Sequence, residues 1–459
     1  MENFWDYSVW GSFNLLAVLL VSLLGANILR KLIPGLKSSL IPVSVLGGGI
    51  LVAIAGVYKL IFGVSMFETQ FFGGNGTNSL EILTYHCLAL GFIAATFRPS
   101  NGKLTKKRTV EIFNTGVTTV STYLLQAVFG LAISIAAAAI MTDFFPAAGV
   151  LLPFGYGQGT GQALNYGGIY ENEFGFVGGK SFGLTIAALG FLSASVGGVI
   201  HLYILKRRGL AGTQASEEGA LSSEQVQGEN EIPMQESIDK LTIQIALIAA
   251  AYLLAYFLMH LLGLLLPGMK SVIFGFNFLI GVLTATLIKA FMSLLRKHGI
   301  VKKEYINGFL MTRASNFFYD LMVVAGIAAI RFGALKDYWG VIAIMGIVGL
   351  VITYIYNYIV AKTLFPEYTQ EQFLVMYGML TGTASTGIIL LREIDGDFKT
   401  PAADNLVYQN FPAIVFGFPL MLLATLAPKK PVLTLIILIV FLLVMNVILF
   451  RSRIFKKRA

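Results

Sequence analysis

Ten apolar stretches, each long enough to cross roughly 30 Å of hydrocarbon as a helix, dominate this 459-residue sequence. They run from Val9 to Leu29, Leu40 to Phe62, Phe113 to Met141, Phe182 to Leu205, Leu241 to Leu266, Val272 to Leu294, Gly308 to Ile330, Val341 to Leu364, Leu406 to Ala427 and Val432 to Phe450. Ile82–Phe97 is shorter and is read as a further crossing. Inside a bilayer the backbone must satisfy its own hydrogen bonds, so stretches of this length become helices. With 56% hydrophobic and 12% charged residues, the chain does not have the composition of a soluble enzyme. The expectation is an all-α polytopic membrane protein.

Charge sets the orientation. Arg30, Lys31 and Lys37 follow the first span, Arg98, Lys103, Lys106, Lys107 and Arg108 follow the third, and Lys206, Arg207 and Arg208 follow Phe182–Leu205. These loops are expected to be cytoplasmic. Glu68, Glu81, Asp143, Glu171 and Glu173 populate the loops between, which are poor in basic residues. Glu2 and Asp6 precede the first span where a signal peptide would be basic, so that span is expected to remain as a helix with its N-terminus outside. Arg451, Arg453, Lys456, Lys457 and Arg458 place the C-terminus in the cytoplasm. The net charge of +9 is then the ordinary surplus of basic inner loops and not a nucleic-acid footprint. Cys87 is the single cysteine, which leaves no disulfide or zinc framework.

One Gly/Thr-rich segment occurs twice, at Leu152–Gly168 and at Met376–Ile388. Superimposing Gly155 on Gly378 brings Gly159-Thr160 onto Gly382-Thr383. Glycine at this density destabilises a lipid-facing helix and leaves backbone groups seeking partners. Charge alternation holds only if Leu152–Gly168 enters and leaves by the same face, which makes it a re-entrant hairpin from the outside and gives the first half five crossings. Five is odd, so a second copy must be inverted, with Met376–Ile388 entering from the inside. Leu90–Phe97 and Ala325–Phe332 form a weaker matching pair. The expected organisation is an N-terminal repeat over 1–208, a polar linker over 209–237, an inverted repeat over 238–428, and an extra helix with a basic tail over 429–459.

The chain resembles the sodium/glutamate symporter family. The resemblance rests on Gly157-Gln158-Gly159-Thr160-Gly161, the following Gln162–Gly175 and Phe182–Gly198 stretches, and Pro42-Val43-Ser44-Val45-Leu46-Gly47-Gly48. It covers most of the chain, more specifically in the first half. It implies Na⁺-coupled uptake of an anionic amino acid, glutamate first, across a bacterial cytoplasmic membrane, with no cofactor beyond Na⁺. It also implies a homodimer in which a mobile domain moves against a scaffold. Symport of a di- or tricarboxylate such as citrate or malate, driven by Na⁺ or H⁺, remains open, as does an ion channel with two pore loops. An enzyme is disfavoured, because no nucleophile–base or metal arrangement is present.

Broken helices in matching halves mark transporter binding sites: N–H groups at a returning helix favour anions, and carbonyls at an entering arm suit Na⁺. Around the first tip the candidates are Gly157, Gln158, Gly159, Thr160, Gly161, Gln162 and Asn165; around the second, Thr381, Gly382, Thr383, Ser385 and Thr386. Asp320 is an acid inside an apolar stretch, with Asn316 one turn back. Na⁺ is expected at Asp320, Thr160 and Thr383, while Arg392 could pair with a substrate carboxylate. The competing reading makes the glycines packing devices, Asp320 the partner of Arg313 or Arg331, and Arg392 a membrane anchor. His86, His201 and His260 are read as helix contacts, and Trp5, Trp10 and Trp339 as interfacial anchors.

Overall fold

The computed structural model describes residues 3–98, 105–208, 231–233, 238–396 and 399–454. Most of the expected linker and the end of the basic tail lie outside the described residues. The structure is 83% helical and contains no strand among the described residues. Among the described residues, nine helices are long and apolar enough to cross a membrane, and a tenth is counted if a bent pair makes one span. The chain is therefore an all-α polytopic membrane protein. Leu60, Ile61 and Ile140 are exposed at helix surfaces, as lipid-facing positions are.

The longer helices follow in order on the two sides of the linker. The first has Tyr7–Leu32, Val43–Phe62, Gly76–Phe97, Lys106–Ile140, the interrupted Leu151–Phe174, then Gly179–Arg207. The second has Lys240–Leu265, Asn277–Lys297, Gly308–Ala328, Trp339–Leu364, the pair Thr369–Thr381 and Ala384–Arg392, then Ala402–Tyr408 with Asn410–Leu426. Pro431–Leu449 follows. Caps fix several of these starts: the Thr105 side chain accepts from the Arg108 N–H at 3.3 Å, and the Asp239 side chain accepts from the Leu241 N–H at 2.8 Å.

Two of the expected spans differ in detail. The Gly308–Ile330 stretch forms the helix Gly308–Ala328, but it is not among those apolar enough to cross. Thr312, Arg313, Ser315, Asn316 and Asp320 lower its hydropathy. The Leu406–Ala427 stretch bends by 52° between Ala402–Tyr408 and Pro412–Leu426. Pro412 lacks the N–H a continuous helix would use.

By contacts the chain divides into two compact units. One comprises Met1–Glu81, Leu104–Glu217 and Val323–Ala459, the other Ile82–Lys103 and Glu218–Met322. Each takes chain from both sides of the linker, so spatial grouping and sequence order are different divisions of the molecule. The smaller unit packs around Ile93, Ala94, Phe97, Ile248, Ala251, Ala285 and Met311. The larger holds both Gly/Thr-rich segments. Its most deeply buried large side chains include Phe154, Tyr156, Tyr166, Tyr170, Phe373 and Tyr377, all carried by the helices that contain those segments.

Candidate functional site

Leu151–Phe174 is two helical arms joined at Gly159, whose backbone sits at φ 78°, ψ −170°. Only glycine adopts that region readily. The arms fold back on each other: the rings of Phe154 and Tyr166 stack at 4.0 Å with an interplanar angle of 6°. Twelve residues apart on one straight helix, they would be separated by about 18 Å. The second segment breaks at Gly382 and Thr383, between Thr369–Thr381 and Ala384–Arg392. It also folds back, because a Cβ built on Gly378 would lie 2.8 Å from Gly387 Cα. Two helical hairpins thus stand where the repeated motif does.

The tips meet on a third element. Gly190, near the middle of Gly179–Arg207, has no room for a side chain: a Cβ there would collide with the Thr381 carbonyl oxygen and come within 3.2 Å of Tyr156 Cα. Tyr156 belongs to the first hairpin and Thr381 to the second, so one glycine receives both. Two tyrosines lock this contact. Tyr377 donates to the Ser193 carbonyl at 2.7 Å, while the Tyr156 hydroxyl donates to the Gly346 carbonyl at 2.6 Å and pairs with Ser193 Oγ at 2.8 Å.

Around the first tip, Thr160 and Gln162 are buried, and Gln158 and Asn165 are half-buried. Gln162 Oε1 accepts from Asn165 Nδ2 at 3.3 Å, whereas the buried Gln162 Nε2 has no hydrogen-bond partner. The Gly157 carbonyl accepts from the Tyr123 hydroxyl at 3.1 Å, and Gly161 is buried in the returning arm. Around the second tip, Thr381 and Thr386 are buried, and Thr383 and Ser385 are half-buried. Thr381 Oγ1 donates to the Tyr377 carbonyl at 2.6 Å, and the Thr383 and Thr386 hydroxyls lie 3.3 Å apart. No side chain caps the N-terminus of Ala384–Arg392, which leaves its first N–H groups and the positive end of its dipole at the tip.

Asp320 and Asn316 belong to the smaller unit, where Asp320 is exposed and Asn316 half-buried. Arg331 pairs with Glu81 at 3.3 Å, and Lys180 pairs with the other oxygen of the same carboxylate at 2.7 Å. Arg392 is exposed at the far end of the nine-residue returning helix, roughly 12 Å along it from Ala384.

A second set of polar groups, on the Lys106–Ile140 helix, was not singled out from sequence. Glu111, Thr115, Thr118, Thr119, Thr122 and Gln126 are buried, and their spacing of three and four puts them on one face. Thr115 Oγ1 accepts from Gln372 Nε2 at 3.2 Å, and Gln372 Oε1 accepts from Asn405 Nδ2 at 3.1 Å. Asn405 Nδ2 also donates to the Tyr368 hydroxyl at 3.0 Å, and burial raises that phenol above its usual range. Thr119 Oγ1 donates to Gln409 Oε1 at 2.8 Å. Thr122 Oγ1 accepts from Asn357 Nδ2 at 3.4 Å. At the top of the ladder Gln126 Nε2 donates to Thr353 Oγ1 at 2.8 Å and to the Leu380 carbonyl, beside the second tip, at 2.9 Å. A buried polar atom left unpaired costs about 1–3 kcal/mol, and this ladder contains several: Gln126 Oε1, Asn357 Oδ1 and Asn405 Oδ1.

Compared with known protein families and with curated proteins, the chain matches none. What fold and site define is a class: a polytopic helical membrane protein whose two helical hairpins bring their broken tips together inside one unit.

Proposed function

We propose that this protein is a secondary transporter built of two inverted halves, which uses an inward Na⁺ gradient to import an anionic amino acid, L-glutamate being the leading candidate. The observation that carries the reading is the meeting of both hairpin tips at Gly190, near the middle of a long apolar helix. Broken helices converging at mid-depth place backbone charge where a bilayer otherwise offers none. The uncapped N-terminus of Ala384–Arg392 and the buried Gln162 Nε2 are donors suited to a carboxylate. The carbonyls that end the entering arms suit a small cation.

The decisive experiment is uptake of radiolabelled glutamate, aspartate, citrate and malate into proteoliposomes, with Na⁺ and proton gradients imposed separately. Glutamate accumulation that follows the Na⁺ gradient is expected. Accumulation of citrate or malate instead would replace the amino-acid substrate with a hydroxy acid. Substrate-independent, gradient-limited current would overturn the transporter reading in favour of a channel.

Inversion has its own test. In a background with the buried Cys87 replaced, cysteines at the exposed positions Asn172 and Glu393 flank the two hairpins. An impermeant thiol reagent added to whole cells should label Asn172→Cys, and Glu393→Cys only after the membrane is opened. Labelling of both from outside would refute the inverted halves.

A further inference from the structure

We propose that the top of the polar ladder is a binding site for a dehydrated monovalent alkali cation, formed by Gln126 with Thr353 and, one helical turn away, by Asn357 with Thr122. The proposal rests on the transporter reading for its purpose, but its geometry stands without it. Gln126 Nε2 donates to two acceptors, one of them the Leu380 carbonyl, which can only accept. That fixes the amide orientation and turns Gln126 Oε1 the other way. The oxygen is buried, has no partner, and lies 3.4 Å from where a Cβ on Gly157 would be. It therefore faces the last turn of the first hairpin's entering arm.

Asn357 repeats the logic. Its Nδ2 donates to the Thr353 carbonyl at 2.9 Å and to Thr122 Oγ1 at 3.4 Å, so Oδ1 is the atom left over, again buried and unpartnered. Thr122 Oγ1 gives its proton to the Thr118 carbonyl at 2.8 Å, which leaves the hydroxyl as an acceptor. Each of the two amides that bridge the Lys106–Ile140 and Trp339–Leu364 helices thus keeps one buried acceptor oxygen without a partner.

The chemistry of the oxygens selects the ion. Amides and hydroxyls do not titrate in the physiological range, so they cannot carry a proton. No carboxylate is in the cluster; the one on the same ladder, Glu111, is fifteen residues and about 22 Å down the helix. Divalent cations are held by carboxylates in most protein sites, whereas neutral oxygens suffice for an alkali ion. No cluster of three or more histidine, cysteine or acidic residues that could hold a metal occurs among the described residues either.

The test uses the full chain, purified in detergent without substrate, and follows thermal unfolding in LiCl, NaCl, KCl and choline chloride at equal ionic strength. An ion that binds the folded state raises the midpoint in proportion to the logarithm of its concentration over Kd. The wild type is expected to respond to one or more alkali ions and not to choline. Gln126→Met and Asn357→Leu, which keep volume and remove the oxygens, should each need about tenfold more salt for the same shift, equivalent to losing one good ligand. Thr353→Val should act in the same direction and more weakly, and it keeps the proposal testable if a larger change prevents folding. A wild-type response with unaltered salt dependence in all three variants would overturn the site, as would the absence of any alkali response. Unaltered salt dependence with weakened glutamate binding would instead give these oxygens to a substrate ammonium. A response to K⁺ alone would keep the site and remove Na⁺ coupling from the function proposed above, so the two readings fail separately.

Discussion

Gly159→Val is expected to abolish Na⁺-dependent uptake and substrate binding. At φ 78°, ψ −170° the backbone is in a region that is essentially closed to side-chain-bearing residues, with strain of about 1–3 kcal/mol per residue forced there and more for a β-branched one. The chain has a cheaper response than accepting the strain, which is to move the turn and with it Thr160, Gly161 and Gln162. Even Gly159→Ala should therefore lose most activity, because the difficulty begins in the backbone conformation itself. Gly382 provides the contrast. Its φ is −144°, and a Cβ there would meet Thr386 Oγ1 at 2.9 Å and Phe191 Cδ1 at 3.1 Å, side-chain atoms that can rotate away, with the Gly378 carbonyl oxygen next at 3.2 Å. Gly382→Ala is thus expected to keep measurable uptake with weakened affinity. Uptake assays on both alanine variants, normalised to folded protein by size-exclusion chromatography, check the order. Equal activity in Gly159→Ala and wild type would show that the first tip does not need its turn.

The unequal backbone conformations of two glycines that align in sequence show how far the sequence could be read. Aligning Gly155 with Gly378 brought Gly159-Thr160 onto Gly382-Thr383, and both pairs mark breaks in their helices. The hairpins were legible because glycine and threonine interrupt runs that would otherwise cross. Their backbone conformations were not legible, since φ at each tip depends on what packs against it. Gly190 carried no signal either: a small residue in an apolar stretch looks alike whether it meets lipid or, as here, two hairpins. The ladder from Glu111 to Gln126 was written at helical spacing in the sequence. Its meaning came only from partners such as Thr353 and Leu380, 227 and 254 residues away. Asp320 drew attention for the opposite reason. An acid in an apolar run is conspicuous, yet its side chain is exposed and its unit is not the one that holds the hairpins.

Gly190→Val is expected to match Gly159→Val in severity by a different route. The Gly190 backbone is ordinary helix within Gly179–Arg207, so valine costs little locally. The obstacle lies outside: the new Cβ collides with the Thr381 carbonyl oxygen and crowds Tyr156 Cα at 3.2 Å. Both are backbone atoms, so no rotamer change relieves the contact. The hairpins must separate, and Leu380, one residue from Thr381, takes its hydrogen bond with Gln126 Nε2 along with it. One substitution should therefore weaken substrate binding and cation binding together. Gly25→Ala is the control, because nothing lies within 4 Å of a Cβ there; it should be neutral or stabilising by up to about 1 kcal/mol. Gly190→Ala should fall between, with at least a tenfold loss of affinity on the scale of about 1.4 kcal/mol per decade. Measured together, glutamate binding and salt-dependent unfolding of the three variants separate the hypotheses. Loss of both in Gly190→Val, with Gly25→Ala intact, places the two ligands at one junction. Wild-type behaviour of Gly190→Val would show that the tips function without meeting, and the site would have to be sought away from Gly190.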